Sequence, residues 1–413
     1  MGVSRPTSPV SVAALTCTVL FLVNGMGTSP ASHHGTPAPS GGIDAGRVVA
    51  MATPLPGQPR GSPPLHAPLH RVIEQQFPGT VGVYGVAALG GKVLSDALLP
   101  NGSFQLVLSD VRTNSSRLVG AVAGGSPSYP QGIAGAGGGF YVSYWNYSAA
   151  RTRFDEVSPS GALRTVRLPL DPHRPWDLVG GNATALYAAG NGTFVVVDPR
   201  THGVVANYSA RLPPNLWTVT ALPFGGAIYL AGYLAGNGSS NAYFGSVDIT
   251  SGRLRTIDRG PNESSGWFAS FNAIAPVGQD LAVGGGVQYE NYTSFLFYTA
   301  QGWLFRYNPA TGAFANRSSL LPSGVEEVWA LEPGSRGAYL YADAYFQSFA
   351  GVINFGGLYE WGGTAKGLRN DTSLLPPGFY GGNPGVTALS GGHLTLGGFD
   401  SFAGCSQIVS VRT

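Results

Sequence analysis

Short apolar segments recur along the chain from about residue 70, and glycine-rich turns separate them. The segments are rich in Val, Leu, Ile and Phe, which favour β-strands, and the glycine pairs between them are typical of hairpin turns. No long segment shows the 3.6-residue period of an amphipathic helix. The pattern therefore predicts an all-β fold. Its clearest strands are expected at Phe104–Leu108, Phe140–Tyr144, Phe194–Val197, Ile228–Leu230, Leu281–Val283, Leu394–Leu396 and Ile408–Val411.

The same part of the chain repeats itself. The segment Ser319–Gly324 returns as Ser373–Gly378, 54 positions later, and Ser348–Gly351 returns as Ser401–Gly404, 53 positions later. A third sequence combines Asp or Asn with Pro, Thr and Gly, which is typical of tight turns between strands. It is found at Val197–Gly203, Val247–Gly252 and Tyr307–Gly312.

Each repeat reads as four strands, a to d, and the spacing of 40 to 58 residues is close to that of β-propeller blades. The last unit is one strand short, and we expect His70–Phe77 to supply that outer strand and close the ring. We therefore predict a seven-bladed β-propeller over residues 70–413, with six or eight blades as alternatives. The units are expected to begin near Val81, Gly132, Leu178, Thr218, Phe271, Val328 and Val386.

The pattern resembles the β-propeller repeat families, both the kelch-like type and the surface-layer type with Val-Asp-Pro-x-Thr-Gly turns. Gly397-Gly398 and Gly284-Gly285-Gly286 are similar to the kelch double glycine, whereas the paired Tyr and Trp of kelch repeats do not recur at fixed places. The resemblance implies the propeller fold and says little about function.

The first 69 residues differ in composition from the rest. Arg5 followed by the apolar run Val10–Val23 predicts a signal peptide over residues 1–31, with an uncleaved N-terminal anchor as the alternative. Residues 32–69 are rich in Pro, Gly and Ser and are expected to form a disordered linker. We therefore predict an extracellular or cell-surface protein. Cys405 would be the only cysteine left after cleavage, and we expect it in the core.

Asn-x-Ser/Thr sequences indicate N-glycosylation. Eleven of the 18 asparagines begin such a sequence, against roughly three expected by chance. The alternative is that Asn, Gly, Ser and Thr are all common in β-turns, which raises the count without modification. The predicted glycosylation sites are Asn101, Asn114, Asn146, Asn182, Asn191, Asn207, Asn237, Asn262, Asn291, Asn316 and Asn370.

Charge narrows the class of partner. Charged residues make up 11% of the 413 residues and the net charge is +2, against about 25% charged residues in ordinary soluble proteins. Because no basic stripe is present, nucleic-acid binding is excluded. The chain has two lysines beside 21 arginines, which we interpret as a signature of genome composition.

Six aromatic residues mark a candidate ligand site. They fall where each d–a loop enters an inner strand, on the face that carries the long d–a and b–c loops. Flat aromatic rings there are suited to stacking sugars or gripping a peptide. The alternative is that the rings pack between blades. The candidates are Tyr129, Trp176, Trp217, Trp267, Trp329 and Tyr380.

The sequence lacks the common catalytic motifs, so no catalytic residue, metal ligand or cofactor is predicted. Glu326 and Glu327 are adjacent, and on a regular strand they would point to opposite faces and could not act together. We expect a monomeric binding module for glycan or protein partners at the cell surface. A passive envelope component is the first alternative, and a propeller-type glycan hydrolase or lyase is the second.

Overall fold

The computed structural model describes residues 70–413 apart from short gaps at 102, 123–127, 147–148, 237–238, 261–266, 290–298, 335–336, 349–350, 364–366, 381–386, 391 and 401–403. The predicted signal peptide and linker lie outside these residues. The described part of the chain consists of β-strands and three short 3₁₀ helices, and it has no α-helix. It accordingly holds no helix of the length and apolarity that a membrane crossing requires.

After β1 (His70–Phe77), the strands are described as seven groups in chain order. Group 1 comprises β2 (Gly82–Leu89), β3 (Lys92–Leu98), β4 (Phe104–Asp110) and β5 (Ser115–Val122). Group 2 comprises β6 (Ser128–Ala136), β7 (Gly139–Asn146), β8 (Arg151–Val157) and β9 (Leu163–Val166). Group 3 comprises β10 (Asp177–Gly181), β11 (Leu186–Gly190), β12 (Thr193–Val197) and β13 (Val204–Asn207).

The remaining four groups follow the same order. Group 4 comprises β14 (Leu216–Phe224), β15 (Ala227–Ala235), β16 (Ser240–Asp248) and β17 (Leu254–Asp258). Group 5 comprises β18 (Trp267–Val277), β19 (Asp280–Tyr289), β20 (Thr299–Tyr307) and β21 (Phe314–Asn316). Group 6 comprises β22 (Val325–Pro333), β23 (Ala338–Ser348), β24 (Gly351–Trp361) and β25 (Leu368–Asn370). Group 7 comprises β26 (Phe379–Tyr380), β27 (Thr387–Ser390), β28 (His393–Asp400) and β29 (Cys405–Arg412).

Neighbours within a group pair antiparallel, except that β26 and β27 both pair with β28. Single-residue pairings of β16 with β18 and of β19 with β22 join groups 4 to 6 in one twelve-stranded sheet.

The groups are arranged around their inner strands, which are the first strand of groups 1 to 6 and β27 of group 7. The strands β2, β6, β10, β14, β18, β22 and β27 contact one another in this order, and β27 also contacts β2. Antiparallel four-stranded sheets placed side by side in this way form a β-propeller. The prediction of an all-β propeller is confirmed. All seven strands predicted from the apolar segments are also present.

Strand β1 pairs with the last strand of group 7. The pairing with β29 is antiparallel and runs from His70 opposite Arg412 to Phe77 opposite Ser406. Thr80, just after β1, reinforces this contact because its hydroxyl accepts a hydrogen bond from the backbone N–H of Ser406 at 3.1 Å. Cys405 on β29 is buried, as expected, and is in no disulfide.

The inner strands share an irregularity that no residue pattern predicts. In β2, β6, β10, β14, β18 and β22 the pairing register with the second strand shifts by one residue. Such a β-bulge bends and twists the strand locally. Opposite the bulges of β14 and β18 the second strand carries Gly232 and Gly285, where an added Cβ would lie 1.9 Å from the carbonyl oxygen of Trp217 and 2.0 Å from that of Ser270. Close backbone approach therefore requires glycine at both positions.

Aromatic side chains fill the space between sheets. Phe244 on β16 lies with its ring centroid 5.5 Å from that of Tyr307 and 6.4 Å from that of Phe271, both on group 5. All three rings are fully buried. Contacts of this kind give each sheet its apolar partner in the next group, as a propeller requires.

In three groups the outermost strand ends in Asn-x-Ser/Thr, and a 3₁₀ helix follows. In group 5 the Asn316 Oδ1 atom accepts a hydrogen bond from the Ser318 backbone N–H at 2.8 Å. The Ser318 hydroxyl in turn accepts from the backbone N–H of Leu304 on β20 at 3.0 Å. In group 3, Asn207 takes the place of Asn316, Ser209 that of Ser318 and Phe194 that of Leu304. In group 6 the corresponding residues are Asn370, Thr372 and Leu358.

A Leu-Pro turn follows each of the three helices. In group 5 the backbone N–H of Val325 donates to the carbonyl of Pro322 at 3.3 Å, and Leu216 with Pro213 and Phe379 with Pro376 make the same contact. The repeated segment Ser319–Gly324 therefore has a third copy at 210–215, which the residue identities alone do not reveal.

We expect Ser318→Ala to lower the free energy of unfolding by about 1–2 kcal/mol, because the N–H of Leu304 loses its acceptor in a half-buried place. Ser318→Thr keeps the hydroxyl and reproduces the residue found at Thr372, so it should be tolerated. Denaturant unfolding of both variants measures the difference. Equal stability of the two would contradict a structural role for this hydroxyl.

Arginines connect neighbouring groups. In three places a guanidinium donates to a backbone carbonyl in the outer turn of the next group: Arg117 to Ser160, Arg211 to Ser251 at 2.8 Å, and Arg306 to Gly363 at 2.7 Å. Arg306 also pairs with Asp280 of its own group. A guanidinium has five donors in a fixed fork and can make both contacts at once, which an ammonium cannot match. The interpretation of the arginine excess as genome composition alone is therefore incomplete.

Candidate functional site

The structure places three of the six candidate aromatic residues in the interior. Trp176 and Trp329 are each 4% exposed and Tyr380 is 7% exposed. The Trp176 indole N–H donates to the carbonyl of Asp171 at 2.8 Å. Trp329 and Trp176 belong to buried apolar clusters, and the Tyr380 ring lies edge-on to Phe399 with a centroid distance of 5.6 Å, so these three rings are placed as the alternative of packing inside the fold expects.

The other three candidates differ from these in position along the inner strand. Counted from the extra residue of each bulge, Trp217 and Tyr129 lie two residues before it, Trp176 three before and Trp267 five before, while Trp329 is the extra residue itself. The aromatic positions are therefore not equivalent along their strands. Tyr129 and Trp267 are on β6 and β18, but their side chains lie outside the described residues.

Trp217 is the one described candidate that is half-buried rather than buried. Its ring is stacked on Tyr233 with a centroid distance of 6.4 Å and an interplanar angle of 9°. Trp217 is therefore a half-buried ring whose buried indole N–H has no partner among the described residues.

A carboxyl cluster lies where the inner strands of groups 5 and 6 begin. Strand β22 contains a second register shift between Val325 and Glu327, so Glu326 is an extra residue without a partner, while Glu327 opposes Asp343 on β23. One extra residue on one strand of a pair is the ordinary geometry of a β-bulge. Glu326 therefore lies outside the regular alternation on which the expectation of opposite faces rests.

Glu327 is held by side chains of group 5. Its Oε1 atom accepts from Asn272 Nδ2 at 2.5 Å and its Oε2 atom accepts from Gln288 Nε2 at 2.6 Å. Ser270 approaches Oε1 at 3.4 Å. Glu327 is 5% exposed and Gln288 is 4% exposed. We name Glu326, Glu327, Asp343 and Gln288 the acidic cluster.

Burial shifts the titration of all three carboxyls upward. The pKa of Glu326 and of Glu327 is raised to about 8. Loss of hydration is the largest cause, and the charge of the nearby Asp343 is the second. Burial likewise raises the pKa of Asp343 to about 7, although a hydrogen bond from the Trp329 indole opposes the shift. Perturbed carboxyls that face one another are typical of functional sites.

Several oxygen atoms of the acidic cluster have no hydrogen-bond partner among the described residues. These are Glu326 Oε2, Asp343 Oδ1 and Gln288 Oε1, all of them buried. Unpaired buried polar atoms cost free energy, so they are rare and call for an explanation. The Gln288 oxygen is an acceptor, and the two carboxyls accept hydrogen bonds once they are ionised, so the cluster is then suited to a ligand that donates hydrogen bonds.

Within the described residues, no group of three or more His, Cys, Asp and Glu is arranged to hold a metal ion. The amides of Asn272 and Gln288 already occupy both oxygens of Glu327. Hydroxyl, ammonium and guanidinium groups remain as the matching donors.

The predicted glycosylation sites divide by exposure. Asn101, Asn114, Asn207 and Asn316 are exposed, and Asn146, Asn182, Asn191 and Asn370 are half-buried. The Asn182 Nδ2 atom donates to the Tyr187 hydroxyl at 3.0 Å, a contact that competes with a glycan on that nitrogen. Asn237, Asn262 and Asn291 lie outside the described residues.

Comparison with known proteins gives the fold and no family. No protein-family model matches the chain, and no curated protein matches it. A chain of the mitotic checkpoint complex superposes with a TM-score of 0.52 and 14% identity, covering 92% of this chain and 99% of that one. At identities this low the likeness concerns the fold alone.

Two archaeal proteins are also structurally similar. The β-propeller domain of the Trilobed protease from Pyrococcus furiosus has a TM-score of 0.49 and 9% identity, covering 80% of this chain and 94% of that domain. The acylaminoacyl peptidase of Pyrococcus horikoshii has a TM-score of 0.46 and 12% identity, covering 77% of this chain. The chain spans about half of that peptidase's length, 49%.

Proposed function

We propose that this protein is an exported, N-glycosylated binding module, a closed ring of seven blades that recognises a glycan or protein partner at the cell surface. One observation supports the binding role: the acidic cluster, at the N-terminal end of β22, has three buried oxygen atoms without a hydrogen-bond partner among the described residues. A propeller uses loop-bearing ends of this kind to hold ligands, and function concentrates where a rigid scaffold meets such loops.

The ring and the export rest on separate support. The cyclic contacts of the seven inner strands and the pairing of β1 with β29 support closure into seven blades. The apolar run Val10–Val23 supports export. The exposed amides of Asn101, Asn207 and Asn316 support glycosylation.

The donor requirement defines the ligand class. A sugar presents hydroxyl donors, and a basic peptide presents ammonium or guanidinium donors, so both match unpaired carboxyl and amide oxygens. The half-buried Trp217, with its unpaired indole N–H, adds an aromatic surface on the inner strand of group 4. The second candidate function is a passive envelope component. Such a component binds no specific ligand, so it gives no reason for unpaired polar atoms at this place.

Binding to a panel of neutral glycans and basic peptides tests the proposal. We expect saturable binding by the full chain, and we expect Glu326→Gln combined with Asp343→Asn to weaken it by about tenfold or more, since hydrogen bonds to charged groups contribute about 1.5–3 kcal/mol each. Both changes keep side-chain shape. Isothermal titration at pH 8 gives the dissociation constants.

Glu332→Gln is the matched control. Glu332 is on the same strand and its Oε1 accepts a hydrogen bond from the Thr387 hydroxyl at 3.0 Å, away from the acidic cluster. Equal loss of affinity in the control would mean that β22 is merely destabilised. Absence of saturable binding to the whole panel would favour the passive component, and release of a cleaved glycan during the assay would favour a hydrolase or lyase.

A further inference from the structure

A cleft opens on group 4 at the turn side of the sheet. It is open to solvent and has a volume of about 590 Å³. It lies where β16 ends and β17 begins, next to the turn that carries Ser251. The lining residues are Ala227, Ser246, Asp248, Ser251, Arg253, Leu254 and Arg255.

Positive charge dominates this cleft. Arg253 and Arg255 line it, and Arg211 reaches its rim, where the guanidinium donates to the carbonyl of Ser251 at 2.8 Å. Among the described residues, none of these three arginines lies in an ion pair, whereas Arg153, Arg164, Arg174, Arg306 and Arg369 do. Guanidinium groups without a carboxylate partner are available to an anion.

One carboxylate stands in the same cleft. Asp248 Oδ1 accepts from the backbone N–H of Ser251 at 2.6 Å and from its hydroxyl at 2.8 Å. These hydrogen bonds hold the pKa of Asp248 below its ordinary value, so the group is ionised at neutral pH. A ligand of this cleft therefore needs an acid group that accepts hydrogen bonds from the arginines, and it must place no negative charge next to Asp248.

An acidic sugar meets both requirements. Its carboxylate or sulfate accepts from Arg253 and Arg255, while a ring hydroxyl donates to Asp248. Its apolar ring face fits against Ala227 and Leu254, which also line the cleft. A dense polyanion such as an acidic peptide offers carboxylates without neighbouring hydroxyls, and Asp248 then repels it.

We propose that this cleft binds a saccharide that carries one carboxylate or sulfate group per sugar. The site is on a different group and a different side of the fold from the acidic cluster, and it does not depend on the proposed function. The carboxylate and the sulfate share the chemistry that the arginines recognise, so separate probes distinguish them.

The experiment titrates the full chain with digalacturonate and with galactose 6-sulfate, using a neutral galactose disaccharide for comparison. We expect the acidic probes to bind and the neutral one not to bind. Arg253→Gln combined with Arg255→Gln should raise the dissociation constant for the acidic probes by about tenfold or more, because the variant loses the hydrogen bonds from the two charged guanidinium groups to the acid group of the sugar. Arg253→Lys with Arg255→Lys keeps the charge and should retain part of the binding.

Arg151→Gln with Arg167→Gln is the charge-matched control, since both arginines are exposed and lie in group 2. The inference is overturned if this control weakens binding equally, if hexaglutamate binds as tightly as digalacturonate, or if neither acidic sugar binds. Binding that persists in the Glu326→Gln, Asp343→Asn variant separates this site from the acidic cluster. A failure of one proposal therefore leaves the other measurable.

Discussion

The free energy of unfolding is expected to fall by several kcal/mol as the pH rises from 4.5 to 8. Glu327 alone contributes on the order of 4 kcal/mol over this range, because its pKa is raised from the ordinary 4.5 to about 8 and one pKa unit corresponds to about 1.4 kcal/mol. Glu326, Glu332, Asp343 and Asp96 act in the same direction, since burial raises the pKa of each to about 7 or 8.

The sign follows from proton release on unfolding. The folded protein keeps these carboxyls protonated up to about pH 7 to 8, whereas the unfolded chain loses the protons near pH 4. Below pH 4 both states are protonated and the contribution to stability is complete. Between these values unfolding releases protons, so each increase in pH favours the unfolded state. Asp110, Asp198 and Asp248 have lowered pKa values and weaken the fold only below about pH 4.

Urea unfolding at pH 4.5, 6, 7 and 8 measures this dependence. Glu327→Gln removes the titrating group and should flatten the slope, while Glu74→Gln on the exposed part of β1 should leave it unchanged. A stability that increases from pH 4.5 to 8 in the parent protein would contradict the assignment of buried, protonated carboxyls. The expected profile suits a protein that works in acidic surroundings.

Gly285→Ala is expected to destabilise the protein by about 3 kcal/mol or more, or to prevent folding. The added Cβ would lie 2.0 Å from the carbonyl oxygen of Ser270 and 2.8 Å from the Cα of Phe271, and both are backbone atoms at the bulge of β18. Backbone cannot move aside without breaking the pairing of β18 and β19, so the strain spreads into the sheet.

Gly82→Ala provides the comparison. Gly82 is also on a strand, and its added Cβ would meet only the edge of the Tyr84 ring at an ordinary contact distance of 3.5 Å. Thermal and urea unfolding of both variants should show a large loss for Gly285→Ala and a small change for Gly82→Ala. Similar losses in the two variants would mean that the backbone approach at the bulge is not the limiting contact.

The positions of the strands and of their turns could be predicted from local sequence alone. The apolar runs, the glycine pairs and the turn sequence at Tyr307–Gly312 each act over a few residues, so their structure follows from their own chemistry. The same holds for the absence of α-helix within the described residues. Repeat spacing then led to the propeller, because each unit needs a neighbour to bury its faces.

The candidate site was less predictable, because a β-bulge has no distinctive residue pattern. Strict alternation separates Glu326 from Glu327, and one extra residue in β22 interrupts that alternation next to the pair formed by Glu327 and Asp343. The position of an aromatic residue along its strand is also a weak guide to its exposure. Trp329 is near the start of β22, yet it is the extra residue of a bulge and its ring is buried beside Asp343. Two adjacent glutamates in an apolar strand were the available signal.

The third copy of the Ser-Leu-Leu-Pro segment shows another limit. Residues 210–215 share little identity with Ser319–Gly324, but their backbone hydrogen bonds are the same. The hydroxyl of Ser209, the proline at 213 and a short 3₁₀ helix are enough to reproduce the geometry. Structure is conserved between units by these few contacts, while the other side chains vary.

The pairing of β1 with β29 sets the order of events during synthesis. Phe77 finds its partner Ser406 only after 329 further positions have been made, so this is a contact of very long sequence separation. Such contacts carry a high loop-closure entropy and slow the rate of folding. Groups 1 to 6 can assemble as they are made, but β1 keeps an unpaired edge until β29 is complete. An unfinished chain therefore exposes a strand edge that is open to aggregation, and rapid export before folding, or a chaperone on that edge, would protect it.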